Sequence, residues 1–396
     1  MKVVQIHNRT RSTMPGGENR VVDQEYTALT EQGHEVIRFE RDSDDIERLP
    51  ALKKAMVPAK VIWSHEAHRD LSATLRRHNP DVVHVHNTFP LLSSAVLYAC
   101  RDAKTPLVAT IHNYKLACAS GDFFRNGSVC RDCETRFPLP ALLHGCYRGS
   151  RVATAPAALA ISVHRPAWTS LVSAYVFISA MQRDLLRSLR LPKERVFVKH
   201  NLIPRREMRP VPREPAVLYA GRLEEVKGVR VLMAAWDQYR QLSPVPGLRL
   251  IVAGSGPLER EVTQWASSRP SVELLGQVSA ERCAELMSRA RAALIPSIWA
   301  EPFGLVVVEA MAMGAPPIAA AHGSFVELIT PDVDGVLVPP GDPAALARII
   351  AEVDEHPEKY ETYGRQARDS YEERFNPDKS LKQLLEIYRY AIAHPA

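Results

Sequence analysis

No stretch of this 396-residue chain stays apolar for the roughly 18 residues that a membrane-spanning helix needs. No apolar signal segment opens it either. Met1-Lys2-Val3-Val4-Gln5-Ile6-His7 runs straight into a strand-like pattern, so a cytoplasmic protein is expected, in a compartment where disulfides are rare. A large excess of one charge is missing too: 50 lysines and arginines face 45 acidic residues, and a net +5 is too small to argue for nucleic acid. The dinucleotide fingerprint is absent where it belongs. Gly16-Gly17 follows the first strand after a loop that is too long and lacks a third glycine, and Gly254-Ser255-Gly256 meets Pro257 where a helix should open. A nicotinamide enzyme is therefore disfavoured. Internal repeats and low-complexity tracts are lacking as well.

One absence is local. From Thr135 through Arg183 there is no Asp or Glu, while Arg136, Arg148, Arg151, Arg165 and Arg183 are all present. Apolar stretches, Ala155–Val163 and Trp168–Ala174, lie between them. Such a segment suits an anionic membrane surface or an anionic, lipid-linked partner, which would make the protein peripheral on the inner membrane face. It equally suits a buried helix pair with arginines at its ends.

What is present is a regular alternation. The length predicts two domains of roughly 200 residues. Lys2–His7, Glu35–Phe39, Asp81–His86, Leu107–His112, Val176–Ser179 and Val196–Lys199 read as strands, with Glu18–Gln32 as a helix between the first two. Pro204, Pro210, Pro212 and Pro215 mark a linker, after which strands restart at Ala216–Ala220, Leu248–Ala253, Val272–Leu275, Ala292–Ile295, Pro317–Ala319 and Gly335–Val338. Alternating strands and helices predict parallel, doubly wound sheets whose ligands gather beyond the carboxyl ends of the strands.

Chemistry concentrates at those ends. Gly221-Arg222-Leu223-Glu224-Glu225-Val226-Lys227-Gly228 follows a strand with two cations on a glycine-punctuated turn. Arg forks two phosphate oxygens and Lys supplies a point charge, although exposed basic residues are most often merely solvated. Glu301-Pro302-Phe303-Gly304-Leu305-Val306-Val307-Val308-Glu309 follows a later strand and brackets an apolar run with two carboxylates. Glu309 among valines is costly unless partnered, and a diol is a suitable partner. His112 ends its strand, and His84 and His86 alternate onto one face of the neighbouring strand. Gly17 closes the first strand-to-helix loop, where backbone N–H groups can approach a phosphate or a sugar.

These motifs resemble the retaining GT-B glycosyltransferases of family 4, also called group 1, most specifically between Gly221 and Gly314. The resemblance implies an α/β GT-B fold with two Rossmann-like, doubly wound domains facing a central cleft. An acceptor-side domain, residues 1–208, would be completed by a returning C-terminal helix, 377–396, and 209–376 would bind the nucleotide sugar. It implies that Arg222 and Lys227 stabilise a leaving diphosphate, that Glu301 binds donor-sugar hydroxyls and that Glu309 binds the ribose diol. Phe303, Gly304 and Leu305 would offer backbone N–H groups, Gly17 would join the donor site, and His112 would stand beside sugar and acceptor. The implied reaction moves a sugar from a nucleoside diphosphate to a sugar, glycolipid or small-molecule hydroxyl, as in polysaccharide or glycoconjugate assembly. No DxD-type carboxylate motif stands at a strand end, so no catalytic metal or other catalytic cofactor is expected. The rivals are an epimerase of the same fold and a catalytically silent nucleotide-sugar-binding partner.

Four cysteines form a separate constellation. Cys130 and Cys133 make a CxxC flanked by Cys118 and Cys146, inside an insertion at about 115–170 that resembles one seen in polysaccharide-assembly members of the family. Four thiolates in a loop-rich segment suit a structural Zn²⁺, while free buried thiols or a redox pair are the alternatives.

Overall fold

The computed structural model of the chain describes residues 1–12, 16–134, 137–206, 211–243 and 247–396. Of the positions read above, Thr135, Arg136 and Pro210 lie outside them. The chain separates into two compact units, one of residues 1–125, 130–202 and 378–396, the other of 126–129 and 203–377.

The first unit is built on six parallel strands in the order Glu35–Asp42, Lys2–Arg9, Val82–Asn87, Leu107–Ile111, Ala174–Phe177 and Val196–Val198. Parallel strands covered on both faces read as continuous apolar runs, and Val3, Val4, Ile6, Val82, Val83 and Val108 are fully buried. Helix Gly17–Glu31 turns Val21, Val22 and Leu29 inward, with Glu25 on the same stripe. Helix Pro377–Ala393 lays Leu381, Leu384, Ile387, Tyr388 and Ala391 over Val3, Val82, Val108, Ala174 and Val176. Strand order reverses between Lys2–Arg9 and Val82–Asn87, so their carboxyl ends form the switch point where such sheets bind ligands.

The acid-free segment departs from a buried helix pair. It forms a short helix, Leu139–His144, and a long one, Arg151–Ser170, which runs through Pro156 and Pro166 and starts with Ser150 Oγ accepting from Ala153 N–H. Trp168 ends the long helix rather than opening a second one. Much of the apolar content faces solvent: Val152 is 84 % exposed, Leu143 56 % and Val163 53 %.

The second unit has the order Val272–Gly276, Arg249–Ala253, Glu214–Ala220, Ala290–Ile295, Pro317–Ala320, Val336–Val338, again all parallel. Its core gathers Trp236, Tyr239, Leu250, Ile318, Ile350 and Tyr360. Its order reverses between Glu214–Ala220 and Ala290–Ile295, and the loops leaving those two strands meet. Ile298 N–H donates to Val226 O at 2.9 Å. Gly228, at φ 71°, lies so close that a Cβ there would sit 1.8 Å from Pro296 O.

Candidate active site

Two sets of polar groups occupy the two switch points. In the second unit, a single 3₁₀ turn, Glu225–Lys227, ends at Gly228 and aims Lys227 at the facing loop. There the Lys227 ammonium bonds directly to Glu301 Oε1, which also accepts from Ser297 Oγ at 3.1 Å. Burial pushes the Glu301 carboxyl up, but the adjacent Lys227 charge and the hydrogen bonds outweigh it and hold the group below the usual carboxylate range. Lys227 Nζ also lies 5.3 Å from the centroid of the Trp299 ring. Arg222 sits at the start of the same loop, 38 % exposed and 3.0 Å from Glu224 Oε1, while Tyr219 O–H fixes the backbone by donating to Arg222 O at 2.8 Å. A basic side chain that remains partly open, on a turn locked by its own backbone, is suited to receive an anion.

Behind Glu301 the chain is held rigidly. Ser324 N–H donates to Glu301 O at 3.1 Å and Ser324 Oγ–H to Phe303 O at 2.6 Å. Gly304 caps helix Leu305–Ala312 at φ 80°, and a Cβ there would meet the Phe325 ring at 2.4 Å. The helix leaves its first N–H groups, those of Leu305 and its neighbours, free of intrahelical partners, an electropositive end beside the carboxylate. Glu309 follows one turn on, half-buried between Val308 and Ala310. The structure thus joins two residues that the sequence assigned separate tasks, Lys227 and Glu301, in one ion pair. His322 completes the wall. Its Nε2–H donates to Ser297 O at 2.7 Å, and burial keeps the ring below its ordinary pKa and neutral.

In the first unit, His112 directly follows strand Leu107–Ile111, half-buried, its Nε2 2.9 Å from Nδ1 of His86. The rings of His84 and His86 lie 4.0 Å apart on one face of their strand. His84 Nδ1 pairs with Tyr388 O–H at 2.8 Å and its Nε2 with Thr110 Oγ1 at 2.7 Å. Burial lowers the pKa of His84 to about 4, and drives His86 and His112 well below the ordinary histidine value. Gly17 opens helix Gly17–Glu31 next to Asn19, whose Oδ1 accepts from Thr10 N–H at 3.1 Å and pairs with His7 Nε2 at 2.8 Å. His86, Asn87, Phe89, His112, Lys115 and Arg165 are among the residues that line a cavity of about 110 Å³ in this unit.

Lys199, Glu25 and Glu18 escaped the sequence reading as site groups. Lys199 Nζ, 2 % exposed, donates to Glu25 Oε1 at 2.9 Å, to Ser380 Oγ at 3.2 Å and to His200 O at 3.1 Å. Glu18 stands at the helix start with Oε1 3.9 Å from Nδ1 of the fully buried His7. A signal for Glu25 was available: it sits four residues from both Val21 and Leu29, on the apolar stripe of its helix.

The four cysteines do not draw their sulfurs into a compact set. Among the described residues, the group of His, Cys, Asp or Glu whose ligand atoms lie mutually within 4.8 Å is Glu25, His84 and His86, not Cys118, Cys130, Cys133 and Cys146. All four are free thiols. Cys133 and Cys146 pack on the small apolar cluster of Ala119, Ala141 and Ala157. Burial, with the neighbouring cysteines, pushes the Cys133 thiol up to about 11. The CxxC spacing is real: Cys118 Sγ lies 3.2 Å from Ser120 Oγ, and Cys133 and Cys146 feel the charges of the other cysteines.

Comparison with known proteins follows the same division into halves. The family described as Glycosyltransferase Family 4 matches residues 15–207, and Glycosyl transferases group 1 matches 204–370. Glycogen synthase of Mycobacterium tuberculosis is 26 % identical over 98 % of this chain and 94 % of its own. Other curated relatives are matched over about half their length, 46 % and 45 %. Among solved structures, sucrose-phosphate synthase from Thermosynechococcus elongatus superposes with a TM-score of 0.73 at 22 % identity, covering 99 % of both chains. HepE of Anabaena in complex with UDP and glucose does so at 0.67 and 19 %, covering 98 % of both. The two parallel-sheet, Rossmann-like units are those of the GT-B fold.

Proposed function

Since the chain belongs to the family 4, group 1 glycosyltransferases, we propose that it moves a sugar from a nucleoside diphosphate to an acceptor hydroxyl, retaining anomeric configuration and using no catalytic metal. The observation that carries this reading is the ion pair of Lys227 with Glu301 at the second unit's switch point, with Arg222 on the same loop. Two cations held at a strand end neutralise a diphosphate as it leaves, and a preformed charge costs no reorganisation at that moment. Glu301 then offers its carboxylate to the sugar hydroxyls, Glu309 to the ribose diol, and Phe303, Gly304 and Leu305 their backbone N–H groups. Gly17 and His112 serve the sugar and the acceptor from the first unit, which takes the acceptor side.

In this reaction the bond from the anomeric carbon to the phosphate oxygen breaks as the acceptor oxygen approaches from the same face. The acceptor's proton passes to the departing phosphate, so no protein nucleophile is required. The acceptor is a sugar, a glycolipid or a small molecule, and polysaccharide or glycoconjugate assembly is the setting that suits it. Exposed Val152, Leu143 and Val163 beside exposed Arg148 and Arg151 support a peripheral place on an anionic membrane surface.

The test begins with a thermal-shift panel of UDP, GDP, ADP and their sugars, because a ligand of the folded state raises its melting temperature. HepE's complex with UDP puts the uridine nucleotides first in the panel. The stabilising donor is then incubated with acceptors in EDTA, and the anomeric configuration of the product is read by NMR. A strict need for added Mg²⁺ or Mn²⁺, or an inverted product, overturns the mechanism. A changed sugar on an intact nucleotide, formed without acceptor, marks an epimerase. Binding without turnover against any acceptor marks a silent partner.

A further inference from the structure

Beneath His112 the first unit buries a chain of groups that donor binding does not use. Lys199 pairs with Glu25 Oε1 at 2.9 Å, leaving Glu25 Oε2 buried and without a hydrogen-bond partner. Two nitrogens face that oxygen, His86 Nε2 at 3.7 Å and His84 Nδ1 at 4.0 Å. Beyond His86 lies His112, 2.9 Å from its Nδ1. The three ligand-type groups do not make a metal site, because the Lys199 ammonium already sits on Glu25 and both ring nitrogens of His84 are engaged.

The proton positions follow from counting donors. A neutral imidazole has one N–H and one lone pair. Of the two hydroxyls on His84, the Tyr388 phenol is the stronger acid and the better donor, so it is assigned as donating to Nδ1 at 2.8 Å, which puts the His84 proton on Nε2, toward Thr110. His84 therefore has nothing to donate to Glu25 Oε2, and His86 Nε2, 3.7 Å away and short of a formed hydrogen bond, is the nearest nitrogen that can turn an N–H toward its charge. A competing contact exists: Gln5 Nε2 lies 3.5 Å from His86 Nε2, with one of its two protons already on Val22 O at 3.2 Å. Leaving a carboxylate oxygen unpaired in a dry interior costs more than giving up a contact at the outer limit of hydrogen bonding. With its proton on Nε2, His86 must accept at Nδ1, so His112 must donate from Nε2. His112 is then left with a lone pair on Nδ1.

We infer that Glu25 is a positioning residue which, through His86, locks His112 as the neutral tautomer protonated on Nε2, so that the ring facing the cavity accepts a hydrogen bond from a ligand hydroxyl. Such a ring selects a group that donates, a polyol or sugar hydroxyl, and penalises the deoxy analogue. The functional half of this inference rests on the transferase reading. The tautomer does not.

The experiment is ¹⁵N–¹H correlation spectroscopy of the full-length chain labelled at histidine, with His112 assigned through His112→Gln. The parent should give His112 the pattern of a neutral ring protonated at Nε2. Glu25→Gln presents an amide N–H₂ to His86 Nε2, which reverses the chain and moves the His112 proton to Nδ1. Because that variant leaves Lys199 unpaired, the double variant Glu25→Gln with Lys199→Met is made alongside it to keep a folded protein. In turnover, kcat/KM for the normal substrate should fall roughly tenfold, the scale of one hydrogen bond. The loss should shrink for a deoxy substrate that has no hydroxyl to offer. A His112 protonated at Nδ1 in the parent, or one that keeps its tautomer in both variants, overturns the inference. Absence of transferase activity would leave the spectra readable and would count against the transferase reading alone.

Discussion

The two units share one architecture and put it to opposite electrostatic use. In the second, the switch point carries full charges close to the surface, with Arg222 38 % and Lys227 22 % exposed and Glu301 held ionised by its lysine. In the first, the corresponding corner is filled with neutral rings, and the ion pair of Glu25 with Lys199 is sealed at 1 % and 2 % exposure. The difference matches the two tasks proposed for the units. A leaving diphosphate needs positive charge in place before the bond breaks, whereas an uncharged sugar or acceptor needs direction, which neutral donors and acceptors of fixed orientation provide. Burial lowers the histidine pKa values in the first unit for the same reason that it makes that region a poor host for an anion.

The sharpest way to break this contrast is to remove charge from the second unit. Lys227→Met deletes one leaving-group cation and leaves Glu301 without its partner. The expected loss is about 3 kcal/mol of barrier, or about a hundredfold in turnover, with the first unit's histidine spectrum unchanged. An initial-rate assay with the stabilising donor decides it, and turnover within a few-fold of the parent would mean that the second unit's charges are not catalytic.

Next in size is the response to acid, which should separate the units. The folded-state pKa of His84, about 4, lies below the ordinary value of 6.5. Between those values the unfolded chain takes a proton that the folded one refuses, so stability falls as pH drops from about 6.5 and levels off below about 4. This one ring contributes on the order of 3 kcal/mol, and His86 and His112 act in the same direction. Hydrogen exchange followed from pH 7 to pH 4.5 should show the amides of Val82–Asn87 and Leu107–Ile111 losing protection before those of Glu214–Ala220. Equal loss in both sheets would contradict the contrast.

The units also differed in how far their sequences could be read. The second unit's six strands were expected within two residues of where they lie, because buried parallel strands such as Arg249–Ala253 and Ala290–Ile295 are short apolar runs bounded by polar turns. Its polar groups were legible because they sit on loops, where Arg222, Lys227 and Glu301 interrupt nothing apolar. The first unit hid its chemistry in its core. Glu25 and Lys199 lie 174 positions apart, and only the fold makes them partners. His84 and His86 were legible as a pair by alternation, but not the contacts with Tyr388 and Glu25. A CxxC shows that two thiols are near in sequence but not how four sulfurs are spaced in the fold, and here they are not mutually within 4.8 Å. In the acid-free segment, helix Arg151–Ser170 continues through both Pro156 and Pro166.

A smaller effect sharpens the division of labour inside the second unit. Glu309→Gln should weaken binding of the bare nucleoside diphosphate by one charged hydrogen bond, about 1.5–3 kcal/mol, or roughly 10- to 100-fold. Glu301→Gln should leave that binding nearly intact and lower turnover. Calorimetric titration of both variants separates the assignments, and parental affinity and turnover in both would remove them.

The smallest expected effect tests whether the first unit carries any charge-driven task at all. Arg148 and Arg151 are exposed, whereas Arg165 is half-buried, with its guanidinium donating to Ser188 O at 3.0 Å, and Arg183 pairs with Asp184. Among the described arginines of the acid-free segment, Arg148 and Arg151 are therefore the ones placed to meet an anionic surface, next to exposed Val152 and Leu143. Each basic residue at such a surface contributes about 1 kcal/mol within a screening length of about 10 Å. Two of them with a few apolar side chains give reversible attachment, not an anchor. Co-sedimentation with vesicles should then require anionic lipid, weaken on raising salt, and fall roughly tenfold or more in Arg148→Gln with Arg151→Gln, while nucleotide-induced thermal shifts stay at the parental value. Arg165→Gln, whose guanidinium is spent on backbone carbonyls, should leave lipid binding unchanged. Equal recovery on neutral and anionic vesicles would strip the first unit of its one charged surface role and make the contrast between the units complete.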